Sequence, residues 1–245
     1  MALHDTGDTF DLNRIISQGW RLYMRNFASI AVIVLLISLP VNAAMSILPS
    51  RLLSGQGASG VWIARLLSPA KLLVFNGLAF MAVARIVESS LIGRPGGWAS
   101  PLRHAISRWG AALSPVPLFA LFAIALFLLL LVPRLGEALY YALFMFYFIA
   151  VSLRGCSGMA AIDYSRGLFA GRFGKVFWAQ FVFFLFSAAF TAAMLPFVLV
   201  LPRIPAVVAG FNAILDLFLA LPVTMSTLFF LELDAMGKEP SGRAA

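Results

Sequence analysis

The sequence predicts an all-α protein: a polytopic membrane helical bundle of about six transmembrane helices, with three basic amphipathic helices at the bilayer surface. Three observations predict it. Hydrophobic residues make up 62% of the chain and charged residues only 11%, and the mean hydropathy is +0.95. Soluble domains carry about 25% charged residues, so the excess apolar surface must face lipid. Second, apolar runs approaching the ~20 residues that cross a bilayer recur along the chain. Third, three basic stretches, 14–25, 103–108 and 166–175, each launch such a run.

The elements follow in order as one membrane domain over residues 1–245. Residues 10–26 carry helical periodicity, with Phe10, Ile15, Ile16, Trp20, Leu22 and Tyr23 on one broad face and Arg14, Arg21 and Arg25 toward the other. Thr9 or Asp11 is placed to cap it. Two readings stay open: a basic helix at the headgroup level, or an extension of the first span. No basic n-region or A-x-A-like site marks a cleavable signal, so a retained first span is expected. The spans fall at roughly 27–48, 71–91, 116–132, 138–153, 176–201 and 206–231. Pro40 is expected to kink the first and Pro196 lies near the end of the fifth. Residues 49–60 are a loop, and 61–67 a short apolar piece at the outer surface.

Gly93 to Gly97 break the chain before the second basic segment. There Ser100 is expected as an N-cap and Pro101 at the first helical position. Pro133 to Glu137 and Pro202 to Pro205 read as tight outer turns. Asp163 is expected to cap a short helix carrying Arg166. The tail from Glu232 is polar and expected to fray.

Counting Lys and Arg orients the bundle. With six spans, thirteen lie on the side of the termini and the 2–3 and 4–5 connections, against five on the other. The positive-inside rule then puts both termini in the cytoplasm of a bacterial inner membrane. The chain reads as a basic helix plus a hairpin of spans, three times over, with little residue identity between units.

The net charge of +8 is not read as a nucleic-acid footprint, because the cations flank apolar runs where anionic headgroups attract them. The single cysteine, Cys156, excludes an intramolecular disulfide, and no Cys/His cluster suggests a metal. No GxSxG, GxxxxGK[ST] or HExxH pattern occurs. No catalytic residue, cofactor or metal is therefore expected.

Asp216 is the sharpest single residue. It lies well inside the sixth span, where an ionised side chain costs about 3 kcal/mol on insertion scales. Asn212 sits one turn before it and Thr224 about two turns beyond, so the three offer a polar seam for a proton or cation. The structural alternative is a buried hydrogen bond, or an ion pair with Arg203 or Arg134. Arg85 and Glu88 are spaced to pair along one helix face. Asn42, Asn76, Gln180 and Thr191 suit interhelical hydrogen bonds. Arg21, Arg25, Arg103, Arg108, Arg166, Arg172 and Lys175 form the candidate basic surface for anionic headgroups, a protein partner or a second copy of the chain.

Four phrases carry a family resemblance: FDLNRIISQGWRLYMRNF, AVARIVESSLIGRPGGWASPLRHAISRWGAAL, AIDYSRGLFAGRFGKVFWAQF and TLFFLELDAMGKE. Their order resembles a bacterial six-span integral membrane family. It includes the membrane domain fused to some glycerophosphoryl diester phosphodiesterases and related uncharacterised inner-membrane proteins. Ser165 to Leu168 and Gly171 to Phe173 look like the family's Ser-x-x-Leu and Gly-Arg-aromatic signature. Two positions depart from its pattern: no acidic residue follows Arg154 closely, and no Arg accompanies Asp234. The resemblance implies a membrane part without established activity of its own. The expected function is a non-enzymatic membrane protein that organises lipid or a partner. The alternative is a small transporter, or transporter subunit, using Asp216.

Overall fold

A computed structural model describes residues 11–52, 71, 75–94, 96–114, 145–200 and 204–238. Among the described residues every regular element is helical. The helices are α1 (Leu12–Arg25), α2 (Phe27–Leu52), α3 (Gly77–Leu91), α4 (Ala99–Leu113), α5 (Met145–Arg154), α6 (Met159–Phe169), α7 (Phe173–Val200) and α8 (Pro205–Lys238). Three segments are long and apolar enough to cross a membrane: Phe27–Ile47, Phe173–Met194 and Pro205–Gly237. The pair α5 and α6, bent by 108° at a short break, makes up to four. The expected span 116–132, the beginning of 138–153, the 61–67 piece and the 133–137 turn lie outside the described residues.

Asp11 caps α1, its carboxylate accepting from the Arg14 backbone N–H at 3.1 Å. The helix then ends at Asn26, whose side chain donates to Leu22 O at 2.8 Å and accepts from Ser90 Oγ at 2.9 Å. An amide bonded at both ends thus separates α1 from the first span. α1 buries Ile15, Gly19 and Tyr23, an i, i+4, i+8 stripe. Trp20, expected on that face, is exposed. The stripe packs on α8: Arg14 reaches Glu232, Gly19 abuts Met225, and the Tyr23 hydroxyl donates to Leu217 O at 3.1 Å. The order of these contacts makes α1 and α8 antiparallel. The apolar stripe of α1 is therefore covered by protein rather than lipid.

Several expected boundaries move. α2 runs through Pro40 and on to Leu52, four residues into the expected loop. α4 starts at Ala99 with Trp98 at its cap, so Ser100 caps nothing. α6 starts at Met159 behind Gly158, which leaves Asp163 in the helix body. Gly158 (φ +57°) and Gly155 (φ +68°) take left-handed backbone that L side chains resist, and they turn the chain between α5 and α6. The largest change is in α8. Residues 232–238 are helical rather than frayed, and Asp234 is only 4% exposed.

The core lies around the C-terminal half of α8. Phe229 and Phe230 pack on Phe146, while Phe183 meets Phe229 edge-on. α7 is antiparallel to α8, since Gln180 pairs with Ser226 and Phe190 with Phe218.

Candidate functional site

Two polar clusters lie at different heights on α8. Asp216 and Asp234 are separated by about 27 Å along the axis at 1.5 Å per residue.

The first cluster is built on Asp216. Lys71 Nζ donates to Oδ2 at 2.9 Å and Oδ1 at 3.1 Å. Asn42 Nδ2, from α2, donates to Oδ2 at 2.8 Å. The side chains of Lys71 and Asp216 are only 19% and 9% exposed. A carboxylate at this depth is tolerated because a cation and an amide share its charge. Beside it runs a narrow cleft lined by Ser38, Asn76, Phe80, Val83 and Ala220. It has room for roughly one water molecule. Asn212 is half-buried and shares no bond with Asp216 among the described residues. Thr224 donates to its own helix at Ala220 O, 2.9 Å. The polar contacts of Asp216 thus run sideways to α2 and Lys71, not along α8. Arg203 and Arg134 lie outside the described residues.

The second cluster ties four helices together near the C-terminal end of α8. Arg154 of α5 pairs with Asp234 of α8 and approaches Glu88 of α3 at 3.5 Å. Glu88 also pairs with Arg85, as its spacing predicts. The Tyr164 hydroxyl of α6 donates to Asp234. Two residues further in, α1 joins through Arg14 and Glu232 at 2.8 Å. α4 is held by His104 Nε2, donating to Ser152 O at 2.9 Å, and by Arg108, donating to Gly155 O at 3.1 Å. The hydrogen of His104 therefore sits on Nε2.

Through these contacts α1, α4 and α6, the carriers of the three basic stretches, meet at one end of the bundle. Arg103 and Arg166 are exposed there, as is Lys175, and Arg108 and Arg172 are half-buried; Arg21 and Arg25 are exposed further along α1, toward the level of Leu217. Arg108 serves the fold by holding Gly155. Sequence reasoning missed Lys71 and Asn42 as the partners of Asp216, and Arg154 and Tyr164 as those of Asp234. A signal existed for Lys71: it is a lysine at the start of one apolar run, and Asp216 is a carboxylate inside another.

Among the described residues no three His, Cys, Asp or Glu side chains group to hold a metal ion. No protein-family model, curated protein or solved structure matches the chain.

Proposed function

We propose that this chain is a six-span protein of the bacterial inner membrane, with both termini cytoplasmic. On this reading it lacks catalytic activity of its own, and its basic end organises anionic lipid or a partner. The family resemblance of its basic phrases belongs to the same proposal.

The observation that carries it is how charge is sorted. Glu88, Asp216, Glu232 and Asp234 are all taken up by ion pairs within the bundle. Arg21, Arg25, Arg94, Arg103, Arg166 and Arg172 form no ion pair among the described residues. The buried carboxylates thus neutralise cations within the bundle, and the arginines left without a pair are exposed or half-buried at the protein surface. Such a surface attracts anionic lipid with about 1 kcal/mol per Lys or Arg.

The test is to purify the protein from membranes in mild detergent and weigh its bound lipids by mass spectrometry. Anionic phospholipid is expected to be enriched over its share of the bulk membrane. Neutralising Arg21, Arg25, Arg103 and Arg166 together should remove the enrichment. A bound-lipid profile equal to the bulk membrane would reject the reading.

One observation favours the second reading, a small transporter or transporter subunit. Asp216, Asn76 and Ser38 bring polar atoms from three helices to a single intramembrane cleft. That cleft is too narrow, in this conformation, for more than a proton or a small cation with its water.

A further inference from the structure

Asn76 is a buried amide, 7% exposed, standing directly before α3. It is placed to cap that helix, yet its side chain makes no capping bond. Among the described residues that side chain has no hydrogen-bond partner. A buried amide left so is costly and calls for a ligand. Asn76 lines the cleft beside Asp216. Residues 75 and 76 are also π-helical, a rare backbone form that recurs at functional sites.

The other polar atoms of the cleft are oxygens with capacity to spare. Ser38 donates its hydroxyl proton to Val34 O at 2.7 Å, which leaves its oxygen able to accept. A carboxylate offers about four lone-pair positions. Asp216 Oδ2 accepts from both Lys71 and Asn42, whereas Oδ1 accepts from Lys71 alone. Oδ1 therefore keeps a position, and the Asn76 carbonyl adds another oxygen. The rest of the lining is apolar.

Oxygen donors, one negative charge and the size of one water define the ligand. Mg²⁺ keeps several waters in near-octahedral geometry, and Ca²⁺ takes roughly six to eight oxygens. Neither fits. A monovalent ion as small as sodium or lithium does. Charge then decides how it enters. Asp216 and Lys71 are already neutral as a pair, with side chains 9% and 19% exposed. A second cation beside them would leave an unbalanced buried charge. Exchanging one cation for the other keeps the cleft neutral. Lys71 suits the exchange, because its ammonium rides on a flexible stem that can carry it toward water. Asn42 holds Oδ2 independently of Lys71, so the carboxylate stays aimed when the ammonium leaves.

We propose that Asp216, Asn76 and Ser38 form a binding site for one small monovalent cation, sodium or lithium, and that this ion and the Lys71 ammonium occupy the Asp216 carboxylate in turn. With Lys71 withdrawn, the ion takes the carboxylate, the Asn76 carbonyl and the Ser38 hydroxyl as its ligands. The assignment rests on the transporter reading of the same cleft and gives it a ligand and a competitor.

The experiment unfolds the full chain thermally in mild detergent, in sodium, potassium or choline chloride at equal ionic strength. Sodium is expected to raise the melting temperature of Lys71→Met by about 5 °C over choline. The parent should need about tenfold more sodium for half its shift, as expected if the ammonium holds the carboxylate in about nine molecules of ten. Adding Asn76→Ala to Lys71→Met should abolish the shift. Should Lys71→Met fail to fold, radioactive sodium bound to the parent takes its place. Unlabelled sodium or lithium should displace it, choline should not, and Asn76→Ala should lose it. Equal responses to sodium and choline, or a sodium response untouched by Asn76→Ala, overturn the site. A potassium response equal to that of sodium overturns the small-ion assignment. A parent as sensitive to sodium as Lys71→Met overturns the exchange. Sodium uptake into proteoliposomes separates site from transport: stabilisation without uptake keeps the site and rejects transport, whereas uptake without stabilisation keeps transport and rejects the site.

Discussion

Both Asp216 oxygens, buried in α8, are taken by partners from elsewhere in the chain: Lys71 Nζ reaches both and Asn42 reaches Oδ2. Lys71→Met strands the carboxylate, and the expected loss is about 3 kcal/mol of stability, read by thermal unfolding in detergent. Adding Asp216→Asn should restore more than half of it, since a neutral amide still bonds Asn42. A double variant as unstable as Lys71→Met alone would show that the pair is not what holds this region. If Asp216 instead carried a translocated proton, the double variant would be stable yet abolish uptake. Tyr23 gives a pH dependence of known sign. Burial pushes its phenol up to about 12, above the ordinary value near 10. The folded state therefore holds this proton more tightly than the unfolded chain does. Its contribution is fully present below pH 10 and is lost as pH rises through about 12. Ultraviolet titration should show tyrosine ionisation well above pH 10, and Tyr23→Phe should reduce that late phase. At this scale the sequence exposed Asp216 as an anomaly by its depth alone. It hid the partners, because Lys71 is 145 residues away and Asn42 is 174.

The helices repeat this division between what is local and what is not. Asp11 as a cap and the 3.6-residue stripe of α1 were legible, because a cap and a face depend only on neighbours within two turns. The covering of that stripe by α8 was not, and neither was its true centre. Gly19, not Trp20, sits against the neighbour. Gly19→Leu is expected to push α1 off Met225, since the new side chain would need space that Met225 and its backbone occupy. Limited trypsin digestion should then cut at Arg21 and Arg25 at least tenfold faster than in the parent. Unchanged cleavage would mean α1 stays docked and the close approach is dispensable. The expected caps at Ser100 and Asp163 failed for a related reason. Helices α4 and α6 begin earlier, α6 behind a left-handed Gly158, because tertiary contacts and a tight turn outweigh about 1 kcal/mol of capping preference. The end of α8 was misread because its polarity suggests solvent, whereas Glu232 and Asp234 are neutralised by Arg14 and Arg154.

Across the whole molecule, buried carboxylates pair with cations inside the bundle, while arginines without an ion pair among the described residues lie at the surface. On the proposed orientation, green fluorescent protein fused after Ala245 should fluoresce, and alkaline phosphatase fused there should be inactive. The reverse result would overturn both the orientation and the six-span count behind it. The membrane class and the amphipathic α1 follow from the sequence by itself. Composition sets how much surface must meet lipid, and periodicity sets which residues of a helix share a face. Which carboxylate meets which cation only the tertiary structure decided. Those relations depend on the axial register and rotation of helices far apart in the chain, as between Arg154 and Asp234, 80 residues apart. Packing sets that register, and no local stretch of sequence encodes it.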